Sequence, residues 1–390
     1  MSFWKLSAAG FAATAMTYGP ARMGFGLFLP EFRSTFDMSS GTAGLVSSLG
    51  FSGFFFGLLA AYAVTARQGP GLPVVLGLLS AALGMALVAT AQGLPLLATG
   101  TFFAMSSAGF SWAPFNDAVH RQVDDARRPA ALSIVSTGTS LGIAAAGATA
   151  LVLLLSGMSW RTAWAIFAGA AALAAAGNWM ALRRLKGRFG ALPSLPWRRL
   201  AQRRAVPLYV IALSFGTTTA IYISFAADRV QQNGGVPIGP VGASPALIFV
   251  SFGLFGLVGL TTGRIKAATG LAALLGLLLA GSTLSLLLIA LAPVSTGGVI
   301  LSAALQGAYV MMMSAVLAFW SERLFPNVPA LGFTAALLAV AAGSVAGPVV
   351  AGQLSDTAGA GFTFLVTAGV SAATAVAAFP TFVVERAPSA

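Results

Sequence analysis

The chain has 390 residues, of which 8% are charged and 57% hydrophobic, at a formal net charge of +12. Soluble domains carry roughly 25% charged residues, so a water-soluble fold is excluded and a polytopic membrane protein is predicted. One histidine and no cysteine exclude thiolate metal sites, multi-histidine zinc sites and cysteine nucleophiles; no metal, cofactor or catalytic residue is expected, and the chain is not read as an enzyme.

A bilayer core of ~30 Å takes about 20 apolar residues per helix. Twelve stretches qualify in chain order: 7–30, 41–64, 72–91, 94–116, 130–155, 160–182, 205–227, 244–263, 268–292, 296–320, 328–352 and 360–383. Stretches such as Val74 to Ala91 are apolar all round, whereas barrel strands would alternate, so all twelve are predicted as helices. The apolar run after Lys5 exceeds the hydrophobic part of a signal peptide and is read as the first span.

With an even number of spans both termini share one side, and that side receives 17 of the 21 Lys and Arg residues. Arg33, Arg161 and Arg229 fall on the other, and Arg22 lies inside a span. This bias predicts cytoplasmic termini in a cell membrane of bacterial inner or plasma type. The positive charge is then a topology signal and not a nucleic-acid surface. A basic stretch, 183–204, separates two halves of six spans, 1–182 and 205–390.

Shifting the sequence by 205 places Gly138, Gly142 and Gly147 on Gly343, Gly347 and Gly352, and Asp117 on Glu322; a shift of 204 places Tyr18 on Tyr222. This register predicts an internal repeat, with small residues letting helix backbones approach closely.

Several segments carry a family resemblance. Gly259-Leu-Thr-Thr-Gly263-Arg264-Ile-Lys266 is similar to a G-x-x-x-D-R-x-G loop with Gly263 in place of the aspartate, and Arg67-Gln-Gly69-Pro-Gly71 is its more degraded first-half counterpart. Trp160-Arg161-Thr-Ala-Trp164, Asp125-Ala-Arg127-Arg128-Pro129 and Glu322-Arg323-Leu-Phe-Pro326 resemble loops leading into spans six, five and eleven. Together with the six-plus-six pattern they resemble the major facilitator superfamily. Within it, Arg22-Met-Gly-Phe-Gly-Leu-Phe-Leu-Pro30 resembles the first span of small bacterial members of YbfB/YjiJ type. The resemblance implies an all-α fold of twelve transmembrane helices in two pseudo-symmetric six-helix bundles, which rock around a central substrate path. The missing loop aspartates imply that gate closure leans on helix packing.

Arg22 is the one charge well inside a span, where an arginine costs at least ~2.5–3.5 kcal/mol and marks either function or a structural tie to neighbouring carbonyls. Thr14, Tyr18 and Arg22 share a helix face, with Phe25 three residues on, and Pro20 among the nearby glycines loosens the helix. The guanidinium fork suits a carboxylate or similar oxyanion. The resemblance places spans one, four, seven and ten along the path, so substrate-binding candidates are Arg22, Tyr18, Phe25, Trp112, Tyr222, Gln306 and Tyr309. Gate or coupling candidates are Glu31 and Asp228 at one end, and Asp117, His120 and Glu322 at the other; solvated loop groups are the alternative for each.

No Asp or Glu falls near the middle of any span, which weakens proton/drug antiport. A lone arginine crossing a low-dielectric path predicts that the loaded form reorients more readily than the empty one. The leading expectation is therefore a carrier for a small organic anion, with a proton or an exchanged anion as a possible coupling partner. An efflux carrier for apolar or amphipathic compounds is the alternative. The lipid bilayer is the other expected partner, and a monomer the expected state.

Overall fold

The structure, a computed structural model, describes residues 3–183, 200–236, 242–326 and 328–383. Every long apolar stretch forms a helix, because in lipid the backbone N–H and C=O groups must be satisfied within the segment. Among the described residues, ten helices are long and apolar enough to cross a membrane, among them Ser40–Gln68, Gly71–Ala89, Arg128–Leu155, Trp160–Leu182, Leu271–Leu291 and Thr296–Leu324. The other two crossings are broken. Span one is Phe3–Tyr18, Pro20–Leu27 and Leu29–Phe36; span four is Leu94–Gly109 and Trp112–Gln122. Twelve spans in two six-helix bundles result, as the family resemblance implies. Most of the basic stretch 183–204 lies outside the described residues.

Local chemistry sets the helix ends. Ser39 Oγ accepts a hydrogen bond from Thr42 N at 3.1 Å to cap span two, and Ser295 Oγ accepts from Gly298 N at 3.2 Å to cap span ten. Gly69 and Gly270 close the tight joints after spans two and eight with φ of 81° in both, a left-handed conformation that favours glycine. Outward-facing Leu83, Leu173, Leu277 and Val350 are exposed, as lipid-facing side chains should be.

The repeated glycines sit at equivalent crossings. Gly138 and Gly142 let span five rest on the carbonyls of Phe11 and Ala15 of span one; Gly343 and Gly347 do the same for span eleven (Pro329–Ala358) on Leu213 and Thr217 of span seven (Val206–Gln232). The third pair joins the lobes. Gly147 faces Ala246 and Val250 of span eight, and Gly352 faces Ser40 and Gly44 of span two. The bundles therefore meet along two equivalent seams, 5 against 8 and 2 against 11.

Candidate functional site

A cavity of about 130 Å³ lies between the bundles. Its walls come from spans 1, 2, 4, 5, 7, 10 and 11, and mostly from the halves of those helices nearer the chain termini. Tyr18 and Arg22 flank the break in span one, where Pro20 lacks an N–H and Gly19 lies against the Gly142 backbone. Thr14, one turn earlier, donates to Val135 O at 2.6 Å and fixes this helix to span five.

Arg22 is only half-buried, reaching the cavity among aromatic rings. Its Cζ lies 4.3 Å from the Phe54 ring centroid, 5.5 Å from Tyr18 and 5.7 Å from Phe51. Rings offer their negative faces to a cation, so they stabilise the charge without neutralising it. Among the described residues no carboxylate pairs with Arg22, and its buried Nε has no hydrogen-bond partner. Glu31 does not serve it, lying nine residues away along the chain in the last helix of span one.

Of the seven residues that sequence reasoning selects for the path, Tyr18, Arg22 and Trp112 line this cavity. The other four do not. Phe25 is buried, its ring 5.7 Å from Phe32 in a cluster that also holds Trp160, Trp164 and Phe28. Tyr222 is buried with its hydroxyl 3.1 Å from Ser302 Oγ. Tyr309 packs edge-on against Phe215 at 5.3 Å, and Gln306 is fully buried with neither amide atom partnered. Thr217 and Thr218 donate back to their own helix, to Leu213 O and Ser214 O at 3.0 and 2.9 Å.

At the end remote from the termini the lobes are tied together. Arg33 Nη1 meets Asp228 Oδ2 at 3.0 Å and also donates to Ser40 Oγ; Gln232 Nε2 donates to the same carboxylate oxygen at 2.7 Å. Ser47 and Ser224 hydroxyls lie 2.6 Å apart across the lobes. Asp356 accepts from the Ser40 and Gly41 amides at 2.9 and 2.8 Å, a carboxylate seated on the positive end of span two. Glu31 lies half-buried in the same helix as Arg33.

The candidates at the terminal end stay within one lobe. Asp117 pairs with Arg121 one turn along the same helix at 2.8 Å. His120 is exposed, its carbonyl accepting from Arg128 Nη2 at 2.9 Å, and Glu322 is exposed. Sequence reasoning missed Phe51 and Phe54 beside Arg22, and Arg33, Asp356, Ser47 and Ser224 at the far closure. A phenylalanine run in span two and a far-side arginine were visible, but nothing in the sequence set them against their partners.

Two six-helix bundles around a central cavity, open towards one side and tied shut at the other, are the architecture of a polytopic membrane transporter. The Major Facilitator Superfamily profile matches residues 10–324, and the chain belongs to that family. It is a multi-pass transporter and not an enzyme. Solved structures share the fold. A POT family transporter in complex with 5-aminolevulinic acid superposes with a TM-score of 0.78 at 15% identity, covering 96% of this chain and 94% of that one. A bacterial homologue of the human lysosomal transporter Spinster, inward-facing and unoccupied, gives 0.76 at 17% identity over 99% of both chains. The nucleoside transporter NupG gives 0.73 at 15% identity, covering 98% and 99%. No curated protein matches the sequence.

Proposed function

We propose that this transporter carries a small organic anion by alternating access, with Arg22 as counter-charge in the central cavity and Tyr18 and Trp112 beside it. The observation that carries the reading is an arginine that reaches the cavity without a carboxylate partner. A mid-membrane cation is costly, and pairing with a transported anion offsets that cost in the loaded state. The chain works as two lobes, 1–182 and 205–390, joined by the basic stretch 183–204. The termini face the cytoplasm of a bacterial-type inner or plasma membrane, following the distribution of Lys and Arg. In that orientation the cavity opens inward, and the Arg33–Asp228 pair, with Glu31 and Asp356, closes the outer side. The functional unit is a monomer that exchanges one anion for another or takes a proton with it.

The test is counterflow in proteoliposomes. Anion on the far side should accelerate labelled anion uptake over net flux, and Arg22→Gln should reduce the rate at least about tenfold, the scale of a lost charge-assisted pair. Equal rates with and without anion on the far side would remove the exchange reading. The apolar lining also fits efflux of uncharged amphipathic compounds; in that case Arg22→Gln leaves transport largely intact.

A further inference from the structure

The cavity says more about its cargo than the sign of one charge. Among the described residues, Arg22 is the sole ionisable lining group with a full charge at neutral pH; Tyr18 is the other titratable one. A single negative charge brings the site to neutrality, whereas a second would sit unpaired in a low-dielectric space, where an isolated charge is heavily penalised. The Phe54, Tyr18 and Phe51 rings crowd around the guanidinium, a setting that favours recognition by its planar fork of N–H donors.

The remaining walls are mostly apolar, with Ile143, Phe215, Ile223, Met311 and Leu337 contributed by both lobes. Of the five hydroxyls among them, Ser314 donates to Val310 O at 2.7 Å and Ser344 to Val340 O at 2.9 Å, while Ser136, Thr139 and Thr219 complete the set. Apolar side chains outnumber these hydroxyls, so a hydroxyl-rich cargo would give up more hydrogen bonds to water than the walls return.

We propose that the cargo is a monocarboxylate with an apolar body, of the aryl-alkanoate or branched aliphatic kind, and not a multiply charged or hydroxyl-rich anion. This rests on the anion-carrier reading above and narrows it. The carboxylate meets the Arg22 fork, and the apolar body lies against the Ile143, Phe215 and Leu337 walls.

The experiment uses the full-length protein in proteoliposomes, with counterflow and ligand-induced melting shifts as readouts. The probes are phenylacetate, acetate, gluconate, succinate, sulfate, 2-phenylethanol and 2-phenylethylammonium. Phenylacetate should be exchanged and should raise the melting midpoint, with both effects reduced at least about tenfold in Arg22→Gln and partly kept in Arg22→Lys. Leu337→Asn should weaken phenylacetate about fivefold relative to acetate, since it touches only the apolar body. Gluconate, succinate and sulfate should not compete at tenfold excess. Arg22-dependent exchange of those anions in place of phenylacetate would overturn the class while leaving anion transport standing. Exchange of phenylethanol or phenylethylammonium that ignores Arg22→Gln would sink the anion reading and this inference together. Well-folded protein that neither binds nor exchanges phenylacetate also overturns the proposal.

Discussion

Arg33 and Asp228 form an ion pair at 3.0 Å between the last helix of span one and the end of span seven, so one salt bridge joins the two lobes. Asp228 is nearly buried, at 6% side-chain exposure, and also accepts from Gln232. Hydrogen bonds to charged groups contribute about 1.5–3 kcal/mol, which is roughly a ten- to hundredfold change in a two-state equilibrium. Asp228→Asn is expected to shift the population towards opening at that end by about tenfold. The chain has no cysteine, so Thr90→Cys and Leu291→Cys, both exposed at that end, give a clean spin-label pair. Their distance distribution should gain a longer component in the variant, and an unchanged distribution would refute the latch.

Asp356 and Arg33 converge on Ser40, one through its amide and the other through its hydroxyl. Loss of a helix cap costs about 1 kcal/mol, and groups sharing a partner couple by about 0.5–3 kcal/mol. Asp356→Ala combined with Asp228→Asn should open the far side by an amount different from the sum of the single changes. Strict additivity would mean that the two ties act independently.

Gly142 and Gly347 allow close crossings of spans five on one and eleven on seven, whereas nothing lies within 4 Å of a Cβ placed at Gly177. Overpacking costs about 1–3 kcal/mol. Gly142→Ala and Gly347→Ala should lower the melting midpoint in detergent, while Gly177→Ala should leave it unchanged or slightly raised. Equal behaviour of all three would deny the crossings their role.

Much of this fold was legible in the residues, because bilayer thickness fixes helix length and lipid forbids an open backbone. The break at Gly19-Pro20 was legible too, since proline removes a donor. The break after Gly109 in span four carries the same signal, since Pro114 lacks the N–H that would reach back to Phe110 O, but the span assignment passed over it. Tyr18 and Arg22 share the cavity because a four-residue step keeps them on one face; Phe25, a further three residues on, is drawn instead to Phe32 and the Trp164 cluster. Tyr222, Gln306 and Tyr309 were selected for polarity on path-lining helices, yet polarity does not say which face points inward. Asp356 escaped notice because its partners lie more than 300 residues away.

Arg22 can be replaced by a thiol that is unique in the chain and then given back its charge. Arg22→Cys should be inactive in phenylacetate counterflow, and aminoethyl methanethiosulfonate, which installs an ammonium, should restore part of the rate. The sulfonatoethyl reagent, which installs an anion, should not. A thiol at position 22 that no aqueous reagent reaches, or an unmodified Arg22→Cys protein as active as the wild type, would contradict a cavity-facing counter-charge.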